Sequence, residues 1–126
     1  AYNIRGNAYS AKHDYDRAMQ NLDRSIQLDN KSSKAFNDRG LIFNARLESD
    51  RAIADFDQAI ALDPKGAMPY SNLGSALTAL RRYDDAIKEL RIALTLQPEY
   101  PEAMNNLCTC LLELATYIFR WFKQFH

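Results

Sequence analysis

The residues that could do chemistry in this chain are two histidines, two cysteines and three close acidic pairs. His13 and His126 have no serine or cysteine spaced to form a nucleophile pair with them. Cys108 and Cys110 are two residues apart, which on a helix points them about 200° from one another, so they cannot share a metal ion or bridge easily. They read as two small buried hydrophobes. Asp14/Asp16, Asp55/Asp57 and Asp84/Asp85 could be taken for general acid–base pairs. Their places at helix starts or within helices give them a capping and dipole role instead. Asp38, Glu48 and Asp50, like most members of those pairs, stand three or four residues from Lys or Arg, the pattern of a solvated helix face. There is no phosphate-cradling glycine loop and no metal-ligand cluster. The expectation is no catalytic residue, no cofactor and no metal.

Composition narrows the partners. The 16 basic and 16 acidic residues of the 126 cancel, so no net field draws the chain to nucleic acid or to an anionic membrane. Apolar runs fall short of the ~20 residues that a membrane span needs. The length suits one domain with a real core. The chain carries no signal-peptide pattern, but it begins without methionine, as a fragment or a processed form would, so that absence decides little and the compartment stays open with the cytoplasm slightly favoured.

The elements that hold these residues come from a repeat. Ala18, Ala52 and Ala86 are spaced by 34, as are Gly6, Gly40 and Gly74, and Asn30, Pro64 and Pro98. Each period reads as two helices with short polar turns between them, "KHDY", "RLES" and "LRRY". Helix pairs are predicted at 2–12 with 15–28, 33–46 with 49–62, and 67–80 with 83–96. Leu-Asp-Pro and Leu-Gln-Pro stop the second helices, where proline costs no helical hydrogen bond.

In unit three, Tyr70, Leu73, Gly74, Leu77, Ala86, Leu90, Ala93 and Pro98 carry this pattern. In unit two it falls on Phe36, Gly40, Phe43, Ala52, Phe56, Ala59 and Pro64. In unit one it falls on Tyr2, Gly6, Tyr9, Ala18 and Leu22, with Ser25 and Asn30 as departures. On these residues the chain resembles the tetratricopeptide repeat family. The resemblance spans about 115 residues and continues into a fourth first-helix from Pro101. It implies an all-α, right-handed solenoid of three helix pairs plus a C-terminal helix, with repeats at about 1–32, 33–66 and 67–100 in a single domain. It also implies a non-catalytic scaffold that binds a peptide or partner helix in a concave groove. The "RG…DFDQAI" style of the repeats suggests a bacterial sequence.

By register, the groove should be lined by Asn3, Asn7, Ser10, Lys34, Asn37, Leu41, Asn44, Met68, Ser71, Ser75, Thr78, Glu102, Asn105 and Thr109. These are mostly amides and hydroxyls, able to hydrogen-bond an extended peptide without reading its charge, and a merely solvated face is the equal alternative. The family's carboxylate clamp for Hsp70- and Hsp90-type tails is matched at Asn7 alone. Asn3 and Met68 lack its cations, Asp38 has the wrong sign, and Asn72 replaces its arginine, so such tails are not expected ligands. Arg5 and Arg39 come with Asp23 and Asp57 eighteen residues on, and they are predicted to pair within their own repeats.

The chain ends on "LATYIFRWFKQFH", where the repeat calls for a turn near Ala115 and Thr116 but supplies no glycine, proline or polar cluster. One helix is therefore predicted over about 102–125. Tyr117, Ile118, Phe119, Trp121, Phe122 and Phe125 share a wide apolar arc on it. An exposed stripe of that size marks an interface, most simply a symmetric homodimer. Folding back on the repeats and contact with a membrane surface are the alternatives, and the domain could also belong to a longer enzyme chain.

Overall fold

The computed structural model describes the backbone from Ile4 to His126 and the side chains from Asp14 onward. The described residues form six helices: α1 (Ile4–Leu28), α2 (Ser33–Ala45), α3 (Ser49–Leu62), α4 (Ala67–Ala79), α5 (Tyr83–Leu96) and α6 (Pro101–Phe125). Each helix packs on the next, and α4 also touches α2 and α6. The result is an all-α solenoid, with α2, α4 and the first half of α6 side by side and α3 and α5 behind them.

The 34-residue period is written in the core. Ala52, Phe56, Ala86 and Leu90 are fully buried with Leu73, Ala76, Leu77 and Cys110. Helices cross closely where glycine permits. A Cβ on Gly40 would lie 2.6 Å from the Phe56 ring, and one on Gly74 would lie 2.4 Å from Leu90 Cγ. The second and third repeats thus each seat one large side chain of the second helix on a glycine of the first.

The turns inside the second and third repeats pivot on Leu47 (φ 63°) and Arg81 (φ 61°), residues 34 apart and both left-handed. Glu48 N–H then donates to the Phe43 carbonyl, and Arg82 N–H to the Leu77 carbonyl, closing the helix ends. A residue with a Cβ takes this conformation at a cost of roughly 1–2 kcal/mol, so packing of the returning helix must offset it.

At the matching places, His13 and Ala115, the helix runs straight on. For the C-terminal half this is the expected long helix. In the first repeat it corrects the expected pair: α1 is one helix through "KHDY", with no turn near residues 13–14. Nothing in that stretch stops a helix, and running on avoids the strained left-handed turn that the later repeats adopt.

Candidate concave interaction face

The inner face is built from α2, α4 and the first half of α6. Its amides are joined to one another. Asn72 Nδ2 donates to Asn37 Oδ1 at 2.9 Å, and Asn106 Nδ2 donates to Ser71 Oγ at 3.0 Å and to its carbonyl at 3.2 Å. Both rungs link residues 35 apart, one position beyond the repeat, so each first helix is tied to the next. Asn37 Nδ2 also points at Met68 Sδ (3.5 Å), and Asn44 Nδ2 reaches Ser75 Oγ in a long 3.5 Å bond.

This ladder corrects the predicted lining. Asn37, Ser71 and Thr78, expected to be exposed, are buried; Thr78 returns its hydroxyl to the Gly74 carbonyl. Asn44 and Ser75 are half-buried. Neighbouring first helices approach closely enough to cover positions that a single repeat leaves open. What stays exposed is Lys34, Leu41 (40 %), Met68 (52 %), Glu102, Asn105 and Thr109. The side chains of Asn3, Asn7 and Ser10 lie outside the described residues. The sequence reading missed the ladder, although Asn72 and Asn106, 34 apart, carried its signal.

At the α6 end of this face a cleft of about 450 Å³ opens between α4, the Arg81 turn and α6, lined by Thr78, Arg81, Leu112, Glu113, Thr116 and Arg120. Tyr117 closes one side of it, its ring 6.5 Å from that of Tyr83.

On the opposite face Arg39 bonds Asp55 at two points, Nε–Oδ2 2.7 Å and NH2–Oδ1 2.8 Å, and reaches Asp23 at 3.1 Å. The predicted partner Asp57 is not used. It lies two residues from Asp55, about 200° round α3. Asp23 belongs to the preceding repeat, so the arginine ties two repeats together. Arg5 lies outside the described side chains. The Asp55 hydrogen bonds raise the Arg39 guanidinium further above its ordinary value, against the opposing effect of burial.

One repeat later the corresponding residues are Asp57, Leu73 and Glu89, two acids with no cation between them. Desolvation holds both carboxyls above their ordinary values. Arg82 opposes the shift at Asp57, and Lys88 at Glu89, where the charge of Asp57 adds to the rise.

Cys110 is buried against the Tyr83 carbonyl, but Cys108 is exposed, correcting the reading of both as buried. Its place on α6 matches Gly74, and among the described residues no second helix of the same repeat returns to cover it. Among the described residues no three His, Cys, Asp or Glu side chains group as metal ligands, and no helix is long and apolar enough to cross a membrane.

The tetratricopeptide repeat family model matches residues 5–67 and 71–117. The chain belongs to the tetratricopeptide repeat family. Among solved structures, the first such domain of human RPAP3 is 27 % identical, with TM-score 0.79 over 89 % of this chain and 88 % of that one. The first TPR of Spaghetti (RPAP3), bound to the HSP90 peptide SRMEEVD, is 27 % identical at TM-score 0.78, covering 88 % of each chain. The second human RPAP3 domain, in complex with the HSP70 peptide SGPTIEEVD, is 25 % identical at TM-score 0.74, over 84 % of this chain and 88 % of that one. No curated protein matches this chain at a significant level.

Proposed function

We propose that this tetratricopeptide repeat domain is a non-catalytic protein-interaction scaffold that holds an extended peptide or partner helix on its concave face. The observation that carries this is the exposure of Leu41 and Met68 beside an amide ladder that is already satisfied. Two apolar side chains on a rigid polar floor suit a ligand that buries an aliphatic or aromatic anchor there. Lys34 and Asn105 at the edges, and the cleft beside Arg81 and Arg120, would receive its polar ends.

The similar domains bound to HSP90 and HSP70 peptides support peptide recognition as the type of activity. The ligand differs in kind. Asn72, at the clamp's arginine place, is buried and bonded to Asn37, so it offers no cation to a terminal carboxylate. Selection of displayed random peptides on the immobilised chain tests the proposal. Enriched peptides should carry a large apolar residue, and Leu41→Glu with Met68→Glu should abolish their capture while the helical circular-dichroism signal persists. Equal capture by the double variant would refute it.

A second reading, self-association through α6, is favoured by the tail. Tyr117, Ile118, Phe119, Trp121, Phe122 and Phe125 are each between 51 and 66 % exposed. Beyond Tyr117, the ring contacts among the described residues are Trp121 with Phe125 and His126, and Phe122 with His126.

A further inference from the structure

The geometry points to one occupant for the open side of α6: the α6 of a second copy, laid antiparallel. Met104, Cys108, Leu111, Ala115, Ile118, Phe122 and Phe125 follow one another at alternating intervals of four and three residues. That is an unbroken heptad seam, and it contains no charge. Every member is exposed, and the seam runs for ~32 Å at 1.5 Å per residue. It is separate from the edge by which α6 packs on the solenoid, where Ala103 and Cys110 are buried and Tyr117 meets Tyr83. A helix that is apolar on a second, heptad-spaced line is shaped for another helix.

The repeat shows what is missing there. Phe36, Gly40 and Phe43, and then Tyr70, Gly74 and Leu77, form the flank of each first helix; the glycines receive Phe56 and Leu90 from the second helix of the same repeat. Thirty-four residues on, the same flank is Met104, Cys108 and Leu111, and among the described residues no helix covers it. The chain's own tail cannot return as that helix. The places of Ala86 and Leu90 would fall to Arg120 and Gln124, a charge and an amide where the core takes a methyl and an isobutyl group.

The seam matches its own reverse. Its small members, Cys108 and Ala115, stand toward the start, and Phe122 and Phe125 stand toward the end. Parallel pairing would set Phe against Phe and Ala against Ala, overfilled at one end and hollow at the other. Antiparallel pairing sets Cys108 against Phe125 of the other copy, Leu111 against Phe122, and Ala115 against Ile118. Each contact then occurs twice about a two-fold axis, a closed dimer. Aromatic side chains carry roughly 150–250 Å² each. With two half-exposed Phe rings plus Leu111, Ile118 and the smaller Cys108 and Ala115, the paired part of the seam offers several hundred Å², toward the ~800 Å² that each partner gives a standard interface.

This inference rests on the self-association reading, and solution mass with site-directed disulfide formation separates the two. The chain should have twice its 14.5 kDa mass, near 29 kDa. Ile118→Glu should return it to monomer with helicity intact, whereas Arg120→Glu, on the far side of α6, should not. Under mild oxidation Phe125→Cys should form a covalent dimer through Cys108 that is lost on adding Cys108→Ser. A monomeric wild-type chain at high concentration overturns both the reading and the inference. A dimer in which Phe125→Cys does not cross-link, or in which wild-type Cys108 links to its own copy, leaves the reading and overturns the antiparallel seam.

Discussion

Arg39 on α2 and Asp55 on α3 face each other in a two-point fork, and the same guanidinium extends to Asp23 on α1. One side chain therefore clamps three helices. The Asp55 side chain is only 7 % exposed, so removing its partner leaves a buried charge unpaired, at a cost of roughly 3 kcal/mol. Arg39→Ala should lower unfolding stability by about that amount in urea. In a double-mutant cycle Arg39 should couple strongly to Asp55 and negligibly to Asp57.

The glycines that seat Phe56 and Leu90 leave no room for a methyl group. Gly74→Ala gains about 1 kcal/mol of helix propensity yet drives its Cβ into Leu90, so a net loss on the order of 2 kcal/mol is expected. Gly66→Ala is the control: its Cβ would come no closer than 3.4 Å to anything, and its melting temperature should barely change.

Leu47 holds a left-handed backbone and is 86 % exposed as a residue, so it has strain and little packing to lose. Leu47→Gly should stabilise the fold by about 1 kcal/mol, measured as a shift in the urea midpoint. An unchanged or lower midpoint would show that the turn carries no such strain.

Asp57 and Glu89 make stability depend on pH. The native carboxyl of Glu89 is raised above its ordinary 4.5, so the folded state holds its proton more tightly than the unfolded chain. That contribution is complete below about 4.5 and is lost as pH rises through the native value. Glu89→Gln should therefore be more stable than wild type at pH 7 and should flatten the stability slope between pH 4.5 and 7. In a Leu73→Arg background, which restores the cation present in the repeat before, the sign should invert and Glu89→Gln should destabilise.

Much of this was legible in the sequence. Ala52/Ala86, Gly40/Gly74 and Pro64/Pro98 repeat because the same packing recurs, so fold class and four of the helices could be read directly. The long α6 was legible because Ala115 has no turn residue near it. The first repeat defeated the reading because its pattern at Ala18 and Leu22 implied a return helix, whereas the helix runs on through His13. Contacts between repeats were least legible. Arg39 was matched by repeat arithmetic to Asp57, when two helices placed Asp55 and Asp23 beside it. The groove amides were assigned to a ligand because one repeat alone does not show that Asn72 and Asn106 bond the helix before them.

The central claim, recognition on the concave face, is tested most directly by amide chemical-shift mapping with a peptide selected on the chain. The account predicts saturable shifts centred on Lys34, Leu41, Met68 and Asn105, with α3 and α5 largely silent. Shifts confined to the outer helices or to the α6 tail, or no selectable peptide at all, would contradict it.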